Sequence, residues 1–230
     1  MGTGFSEIIK GAMYFMNDVR WQEQLASDPA QFFRAKSAFV ISAIPRFNCP
    51  PNMQEYLTYT PPVSDDVVYE AEAAKTSGFV IETGKTGYQL CSVAMENKQS
   101  NGSVFLSPVD CSYDDDTGDV TVLADIAAGA SLVIDFYTDG EFDNVLDDEQ
   151  KRILGLAVAC DWYFQFANDY LGIANLVTDK SFSIKSPSEH IRANTERMKY
   201  LREQLRSELH AYEQRLYKVQ FTPKPMLPKV

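Results

Sequence analysis

The chain has 230 residues, of which 45% are hydrophobic and 23% are charged. These fractions are ordinary for a globular protein, and the apolar content is enough for a core that needs neither a disulfide nor a metal ion to hold it. No apolar run reaches the ~20 residues that a membrane-spanning helix needs. The first residues contain no basic region followed by an apolar stretch, so a secretory signal is not predicted.

The net charge of −11 is distributed unevenly along the chain. Residues 64–149 carry 19 acidic and 3 basic side chains, whereas residues 150–230 carry 8 acidic and 13 basic ones. Residues 1–63 are balanced. Because acidic side chains repel phosphate groups, the central block is a poor nucleic-acid-binding surface.

The first sixty residues are predicted to be helical. Apolar residues between Phe5 and Met16 recur at helical spacing. Asp28 then precedes Pro29, which gives a capping residue followed by a proline that suits the first turn of a helix. The apolar stripe behind it stops at Pro45, where the helix is predicted to end.

From about residue 63 the helical spacing gives way to short β-prone runs that are separated by turn-forming residues. Six short strands at this spacing predict an antiparallel sandwich or barrel. Its acidic side chains are expected on solvated outer faces and loops. The six runs are residues 67–69, 78–81, 88–93, 103–106, 119–123 and 131–137.

The helical pattern returns after residue 140. Asp147 and Gln150 have the spacing of a capping box at the start of one helix. Residues 186–189, Ser-Pro-Ser-Glu, have the cap, first-turn proline and glutamate of another, whose length of about thirty residues spans ~45 Å. One narrow apolar stripe on this last helix predicts packing along one side, against helices of its own chain or of a neighbouring subunit. The residues expected in this helix packing are Trp162, Leu201, Leu205, Leu209 and Tyr212.

The last twelve residues, 219–230, contain three prolines and are predicted to be extended. They are more apolar than a solvated tail usually is. Two interpretations stay open: an unordered terminus, and a docking arm that orders on a partner. The residues expected to dock are Phe221, Pro223, Pro225, Met226, Leu227, Pro228 and Val230.

These elements together predict an α+β protein. Its N- and C-terminal segments form one helical bundle, and an antiparallel β-sandwich or barrel is inserted between them at a surface loop, where insertions are tolerated. The predicted parts are the first bundle part (1–62), the acidic β-domain (63–143), the second bundle part (144–218) and the extended proline-rich arm (219–230).

The sequence offers few groups for catalysis. His190 and His210 both lie on the charged last helix, so a Ser-His-Asp or Cys-His arrangement has little to build from. The Gly-Lys-Thr triplet at 84–86 is not a phosphate-binding loop, because Phe79 stands where the upstream glycine is needed. We therefore expect no catalytic residue, no cofactor and no metal site. The cysteines, which form no Cys-x-x-Cys pair and are expected to be reduced and mostly buried, are Cys49, Cys91, Cys111 and Cys160.

The densest acidic run contains Asp114, Asp116 and Asp119. Alternate carboxylates of this kind could hold a calcium ion. However, Asp125 occupies the position of the bidentate glutamate of an EF-hand loop, and the flanking segments are predicted strands. A hairpin turn with solvated charges is the favoured interpretation.

The order of segments in the second half resembles the head–tail adaptor (connector or neck) proteins of tailed bacteriophages, in which a short helical bundle carries a β-domain insertion. The helix predicted over residues 28–39 fits the same layout. The segments that carry the resemblance are YTDGEFDNVLDDEQ at 137–150, Ile-Leu-Gly at 153–155, Trp162, Asp-Lys-Ser-Phe at 179–182 and the start of the last helix at 186–190.

The resemblance implies a structural virion protein that is assembled in the host cytoplasm and is not an enzyme. It would form a homo-oligomeric ring, dodecameric in this family, beneath the portal protein at the capsid vertex. The C-terminal arm would dock on the portal or on a neighbouring subunit, and a downstream neck, head-closure or tail protein would bind the ring. DNA would pass through the lumen without specific binding.

Two functions of other classes stay open from the residues alone. A carbohydrate-binding, capsid-decoration or receptor-binding protein would use exposed tyrosine or tryptophan on the β-domain, yet the aromatic residues concentrate at 162–170, which favours core or subunit contacts. A hydrolase would use two of the many carboxylates, although no pair stands out.

Overall fold

The computed structural model describes residues 2–16, 18–98, 103–174 and 187–221. Within them the fold is mixed, with six α-helices and three antiparallel sheets. The predicted combination of helices with antiparallel strands is confirmed. None of the sheets closes on itself, so the barrel alternative is wrong for the described strands. None of the described helices has the length and apolar character that a membrane crossing requires.

The helices are α1 (Phe5–Met13), α2 (Val19–Ser27), α3 (Pro29–Ala43), α4 (Met53–Tyr56), α5 (Asp148–Ala174) and α6 (Pro187–Phe221), with a 3-10 turn at Ile44–Arg46. The strands are β1 (Thr3–Gly4), β2 (Tyr59–Thr60), β3 (Val63–Glu70), β4 (Phe79–Glu82), β5 (Gln89–Lys98), β6 (Val104–Pro108), β7 (Cys111–Asp114), β8 (Asp119–Val122), β9 (Ser131–Thr138) and β10 (Glu141–Phe142).

The chain divides into two compact units. The helical unit comprises residues 1–18, 36–59 and 142–230, and the β unit comprises residues 19–35 and 60–141, as far as each is described. The domain bounds predicted from the sequence place residues 19–35 with the helices instead, and those bounds stay a prediction.

Two capping signals in the sequence are confirmed. The backbone N–H of Gln31 donates to Oδ1 of Asp28 at 3.0 Å, directly before α3. At the start of α5 the bonds are reciprocal, since the N–H of Gln150 donates to Oδ1 of Asp147 at 2.7 Å and the N–H of Asp147 donates to Oε1 of Gln150 at 2.9 Å. Each bond satisfies a donor that a helix end leaves without an intrahelical acceptor.

The last helix begins at Pro187, as predicted, but it ends at Phe221 and not at residue 218. The predicted arm therefore starts inside the helix, and its bound needs correction. The physical reason is the position of the first proline. The first proline of the tail in the sequence is Pro223, and the restriction that a proline places on the preceding residue does not reach Phe221.

The β unit contains two of the sheets, with strand orders β3-β9-β5-β6 and β4-β8-β7. Each of the six predicted runs overlaps one of these strands, and β7 was not predicted. Along β9, alternate side chains point to one face, where Leu132, Ile134 and Phe136 are buried. Both sheets contribute to this one apolar core, which also contains Ala71, Ile81, Val93, Val120, Val122 and Ile126.

Residues 19–35 pack on one another and also contact strands of the β unit. The buried Trp21 ring packs edge-to-face on Phe32, with centroids 5.3 Å apart. Arg34 forms an ion pair with Asp135 of β9. A β-bulge in β5 next to Asp135 places Cys91 on the same side of the sheet, beside Arg34.

The helical unit is built around α5, which packs against both α1 and α6. Gly155 of α5 allows a close approach, because a Cβ atom there would lie 3.0 Å from the backbone nitrogen of Ala12. The small sheet β1-β10-β2 adjoins these helices. It brings Tyr59, where the chain leaves the unit, next to Phe142, where it returns, with ring centroids 6.2 Å apart.

Candidate functional site

The apolar stripe of α6 is buried within its own chain. Leu201, Leu205, Leu209 and Tyr212 are all buried, and α6 packs along α5. Trp162 of α5 is partly exposed, and its ring centroid lies 4.8 Å from that of Tyr163. Of the two kinds of packing that the sequence left open for this stripe, intrachain packing is therefore the one present.

A buried polar contact fixes the position of α6 against the start of α5. The side-chain amide of Gln150 donates from Nε2 to the Tyr212 hydroxyl at 2.8 Å, while its Oε1 completes the capping box. The Tyr212 ring also packs edge-to-face on Phe47, with centroids 5.4 Å apart. Burial raises the pKa of Tyr212 above its ordinary value, so this hydroxyl stays protonated and can accept the bond from Gln150.

Two ion pairs flank this contact on the surface of the same helices. Arg152 donates to both carboxylate oxygens of Glu208, at 2.6 Å for the Nη1 to Oε1 bond, and Arg215 pairs with Glu149. The hydrogen bond from Arg152 holds the pKa of Glu208 below its ordinary value. These pairs are partly exposed, so each is expected to stabilise the interface only modestly.

An open groove lies where α1 ends beside the first turn of α5. Its volume of about 650 Å³ is in the range of small-ligand pockets. Tyr14, which is 92% exposed, stands at this groove. Lys151 donates to Glu7 across it at 2.7 Å. The lining residues are Glu7, Gly11, Tyr14, Phe15, Asp148, Lys151 and Arg152. We call this feature the α1–α5 groove.

The α1–α5 groove was not predicted from the sequence. The local signals were ordinary: a glycine within a helix and a tyrosine just after it. Its walls are joined by the Lys151–Glu7 ion pair, which connects residues 144 positions apart. Arg197 of α6 holds the lining residue Phe15 from outside the groove, because it donates to the Phe15 carbonyl oxygen at 3.1 Å. Such pairings depend on the fold and leave no periodic signal in the sequence.

Two partly buried ion pairs were also missed. Asp161 is buried on α5, pairs with Arg46, and accepts a hydrogen bond from the Ser42 hydroxyl at 2.7 Å. In the β unit, Arg34 pairs with Asp135. Each carboxylate is partly or fully removed from water and has a guanidinium partner, which indicates a structural role.

The acidic run forms the turn between β7 and β8, as the hairpin interpretation predicted. The carboxylates of Asp114, Asp115 and Asp116 are exposed and lie within 4.8 Å of one another. Asp114 also accepts a hydrogen bond from the N–H of Asp116 at 3.1 Å, which stabilises the turn. Exposed acidic groups of this kind are ordinary in a hairpin turn, and Asp119 lies in strand β8.

Of the predicted docking arm, Phe221 is the last residue of α6. The remaining arm residues, Pro223, Pro225, Met226, Leu227, Pro228 and Val230, lie outside the described residues.

The cysteines are free thiols. Cys91 and Cys160 are buried, and burial raises the pKa of each to about 11, so both are poor nucleophiles. Cys49 and Cys111 are partly exposed.

His210 is an exposed residue on α6 whose ring nitrogen Nε2 lies 2.8 Å from Nε2 of Gln214. The side chain of His190 lies outside the described part of the chain.

The aromatic residues of the β unit mostly pack inward. Tyr69, Phe79, Tyr88 and Tyr113 lie against the shared core, and the Tyr113 ring centroid is 5.6 Å from that of Phe136. Phe105 on β6, in contrast, is 47% exposed, and the carbohydrate-binding alternative stays a prediction.

No protein-family model and no curated protein matches the chain.

Proposed function

We propose that the protein is a non-enzymatic structural subunit of a tailed-bacteriophage virion, a head–tail adaptor that forms a ring beneath the portal. The observation that supports it is the place where the chain leaves and re-enters the helical unit. Tyr59 and Phe142 lie side by side on β2 and β10, and the acidic strands lie between them in sequence. This placement supports the proposed layout, in which a β-domain is inserted into a terminal helical bundle.

In this proposal α1, α5 and α6 form the bundle and the two larger sheets form an inserted sandwich. Support for the sandwich comes from the core, because buried residues of β4 and β8 share one cluster with buried residues of β5 and β9. Support for the bundle comes from the packing of α1 and α6 on α5.

The α1–α5 groove is the proposed docking site for a segment of the portal or of a neighbouring subunit. Tyr14 offers a large amphipathic ring to a partner, the kind of side chain that dominates the binding energy of protein interfaces. The Lys151–Glu7 pair and Arg152 supply polar contacts around it. Residues 222–230 are the proposed arm that docks on the adjacent protein.

The acidic block suits a subunit whose ring DNA must cross. Between residues 64 and 149 acidic side chains outnumber basic ones by 19 to 3. Such a surface repels phosphates, so DNA would slide past it without being held.

The test is native mass measurement of the purified chain, alone and mixed with assembled portal rings of the same phage. We expect a portal complex that contains a ring of this chain. The mixed sample is the decisive one, because a ring that assembles only on the portal does not form in a sample of the chain alone. A chain that forms no complex with the portal in the mixed sample would overturn the proposal.

Two variants locate the contact. Tyr14→Ala should weaken portal binding at least tenfold, which is the effect expected when a central interface aromatic is removed. Tyr217→Ala is the matched control, because Tyr217 is an exposed tyrosine of α6 that does not line the groove. Equal effects of the two substitutions would show that the groove is not the docking site.

A truncated chain that ends at Phe221 tests the arm. We expect it to keep the helical circular-dichroism signal, because the buried residues Leu209 and Tyr212 precede the cut by at least nine positions. Portal binding should be lost. A truncated chain that forms the same complex would exclude the arm as a docking element and leave the adaptor proposal to the full-length measurement.

A further inference from the structure

Strand β6 has three consecutive apolar residues that are exposed. Val104, Phe105 and Leu106 are 53%, 47% and 56% exposed, and β6 is an edge strand of the four-stranded sheet. Because side chains alternate along a strand, Phe105 lies on the face that carries Met95 towards the core, and Val104 and Leu106 lie on the opposite face. Both faces of one edge strand are therefore apolar and open to solvent.

The main-chain groups of β6 that point away from β5 can be identified from the hydrogen bonding. The N–H of Val109 donates to the carbonyl oxygen of Val93 at 2.9 Å, so these two residues face each other in a hydrogen-bonded position. In an antiparallel pair such positions alternate. The N–H and C=O groups of Val104 and Leu106 therefore point outward, and no hydrogen bond to them is found among the described residues.

We propose that β6 pairs with β6 of a second copy of this chain in a two-fold antiparallel arrangement. In this register Val104 of one copy faces Leu106 of the other. The outward N–H and C=O groups of these residues make four hydrogen bonds across the two-fold axis. The Phe105 rings of the two copies face each other at the axis, and aromatic cross-strand pairs of this kind stabilise strand pairing.

Charge favours a second copy of β6 as the occupant. Residues 103–109 contain no charged side chain, although the surrounding block 64–149 is strongly acidic. Two copies can therefore meet along β6 without placing like charges opposite each other. The other edge of the same sheet, β3, carries Asp65, Asp66 and Glu70, so β3 would place acidic side chains beside Leu106.

Pro108 also fits the two-fold register. It has no N–H, and its backbone nitrogen faces outward in the same alternation as Leu106. The four proposed hydrogen bonds use only Val104 and Leu106, so all four can form although Pro108 has no N–H to donate.

This contact goes beyond the proposed function and does not depend on it. A ring requires head-to-tail contacts between different surfaces, whereas the β6 contact joins identical surfaces by a two-fold axis. Three apolar side chains per copy form an interface well below the standard size. We therefore expect a weak dimer, with a dissociation constant of roughly tens to hundreds of micromolar.

Sedimentation velocity of the full chain over a concentration series, without any portal, tests the pairing. We expect a monomer–dimer equilibrium that Leu106→Pro weakens by roughly thirtyfold, because the substitution removes one outward N–H from each copy. The proline ring points away from β5, so the β5–β6 ladder stays intact.

The matched control is Val68→Pro. Val68 is 60% exposed on the edge strand β3. The N–H of Ala71 donates to the carbonyl oxygen of Ala130, so by the same alternation the N–H of Val68 points outward too. This control should dimerise like the natural chain. A purely monomeric natural chain, or equal dimerisation of the two proline variants, would overturn the proposal.

A mixing experiment tests the register. Val104→Lys alone and Leu106→Glu alone should each be monomeric, because each homodimer would place a charge opposite an apolar side chain twice. Mixed in equal amounts they should form a heterodimer, since the introduced lysine of one copy then faces the introduced glutamate of the other. Circular dichroism checks that both variants fold. If the mixture remains monomeric while the natural chain dimerises, the proposed register is wrong.

Discussion

The two units of the chain differ in how their contacts are distributed along the sequence. The helical unit combines three separate stretches, and its ion pair between Glu7 and Lys151 spans 144 residues. In the β unit, hairpins such as β5–β6 and β7–β8 join neighbouring segments, and the pairing of β3 with β9 joins residues up to 75 positions apart. A helical unit made from both sides of an insertion forms only when distant segments meet, whereas the strands of the two larger sheets all lie in one continuous stretch, residues 60–141.

The units also differ in their polar chemistry. The helical unit contains a buried hydrogen bond from Gln150 to Tyr212 and a buried carboxylate, Asp161. The β unit keeps most of its carboxylates at the surface, as in the turn that contains Asp114. Fixed internal polar contacts specify a single arrangement of helices, and exposed like charges keep a surface solvated. We infer that the helical unit fixes the arrangement of its helices through internal polar contacts, and that the β unit provides a solvated, acidic surface.

The largest expected effects come from one leucine in each unit. Leu201→Ala and Leu132→Ala each remove a fully buried side chain, and each should lower the free energy of unfolding by about 2–5 kcal/mol. Amide hydrogen exchange should show lost protection in α5 and α6 for the first substitution, and in β5 and β9 for the second. Protection lost equally in both units by either substitution would show that the chain unfolds as one cooperative body.

The Arg34–Asp135 pair tests whether residues 19–35 belong to the β unit. Replacing Arg34 by Met leaves Asp135 without this cation while one of its oxygens, Oδ1, is already buried without a hydrogen bond. Since the Arg34 side chain is about one-third exposed, we expect a loss of about 1–3 kcal/mol rather than the full cost of a buried charge. Denaturant unfolding of Arg34→Met, Asp135→Asn and the double variant measures it. Additive single effects would contradict a direct coupling.

Local signals in the sequence predicted local structure well. Asp28 and the Asp147–Gln150 capping box were readable because their hydrogen bonds join residues three apart. Strand β9 was readable because its apolar residues alternate. Strand β7, Cys-Ser-Tyr-Asp, was missed because it lacks a β-branched run and ends in the acidic turn. Each success rests on a rule that acts within a few residues.

Long-range contacts account for what the sequence did not predict. Arg34 and Asp135 are 101 residues apart, and no periodicity connects them. The α1–α5 groove exists because α1 and α5 approach closely at Gly155. In the sequence, a glycine within a helical pattern indicates only a lower helix propensity and gives no sign of this contact. The end of α6 was missed for a different reason. It was predicted at residue 218, although the proline restriction acts only on the residue next to Pro223, and the helix continues to Phe221.

A pair of glycines at the same helix contact gives the next smaller effect. In Gly155→Ala the new Cβ would lie 3.0 Å from the Ala12 nitrogen and 3.1 Å from the Gly11 carbonyl carbon, so the two helices must separate. In Gly11→Ala the new Cβ meets no atom within 4 Å. We expect Gly155→Ala to destabilise the chain by about 1–2 kcal/mol and Gly11→Ala to stabilise it by up to about 1 kcal/mol. Thermal unfolding compares them, and a destabilising Gly11→Ala would contradict the described contact.

The smallest expected effect is the pH dependence of the Arg152–Glu208 pair in the helical unit. Because Arg152 lowers the pKa of Glu208 in the folded chain, the folded state favours the charged carboxylate more than the unfolded state does, where the pKa is near 4.5. This stabilisation is therefore present above about pH 4.5 and is lost as the pH falls through the lowered folded pKa. With Arg152 partly exposed, it should be about 0.3–1 kcal/mol.

Glu208→Gln isolates this contribution, and Glu203→Gln is its matched control, because Glu203 is an exposed residue on the same helix with no ion pair among the described residues. Denaturant unfolding at pH 7 should show Glu208→Gln to be less stable than the natural chain, and the difference should shrink towards zero as the pH is lowered through and below 4.5. Glu203→Gln should show no comparable change. A Glu208→Gln difference that persisted at low pH would mean that the Glu208 side chain stabilises α6 through packing and not through its charge. The ion pairs of the helical unit would then contribute no more to the free energy of unfolding than the exposed charges of the β unit do.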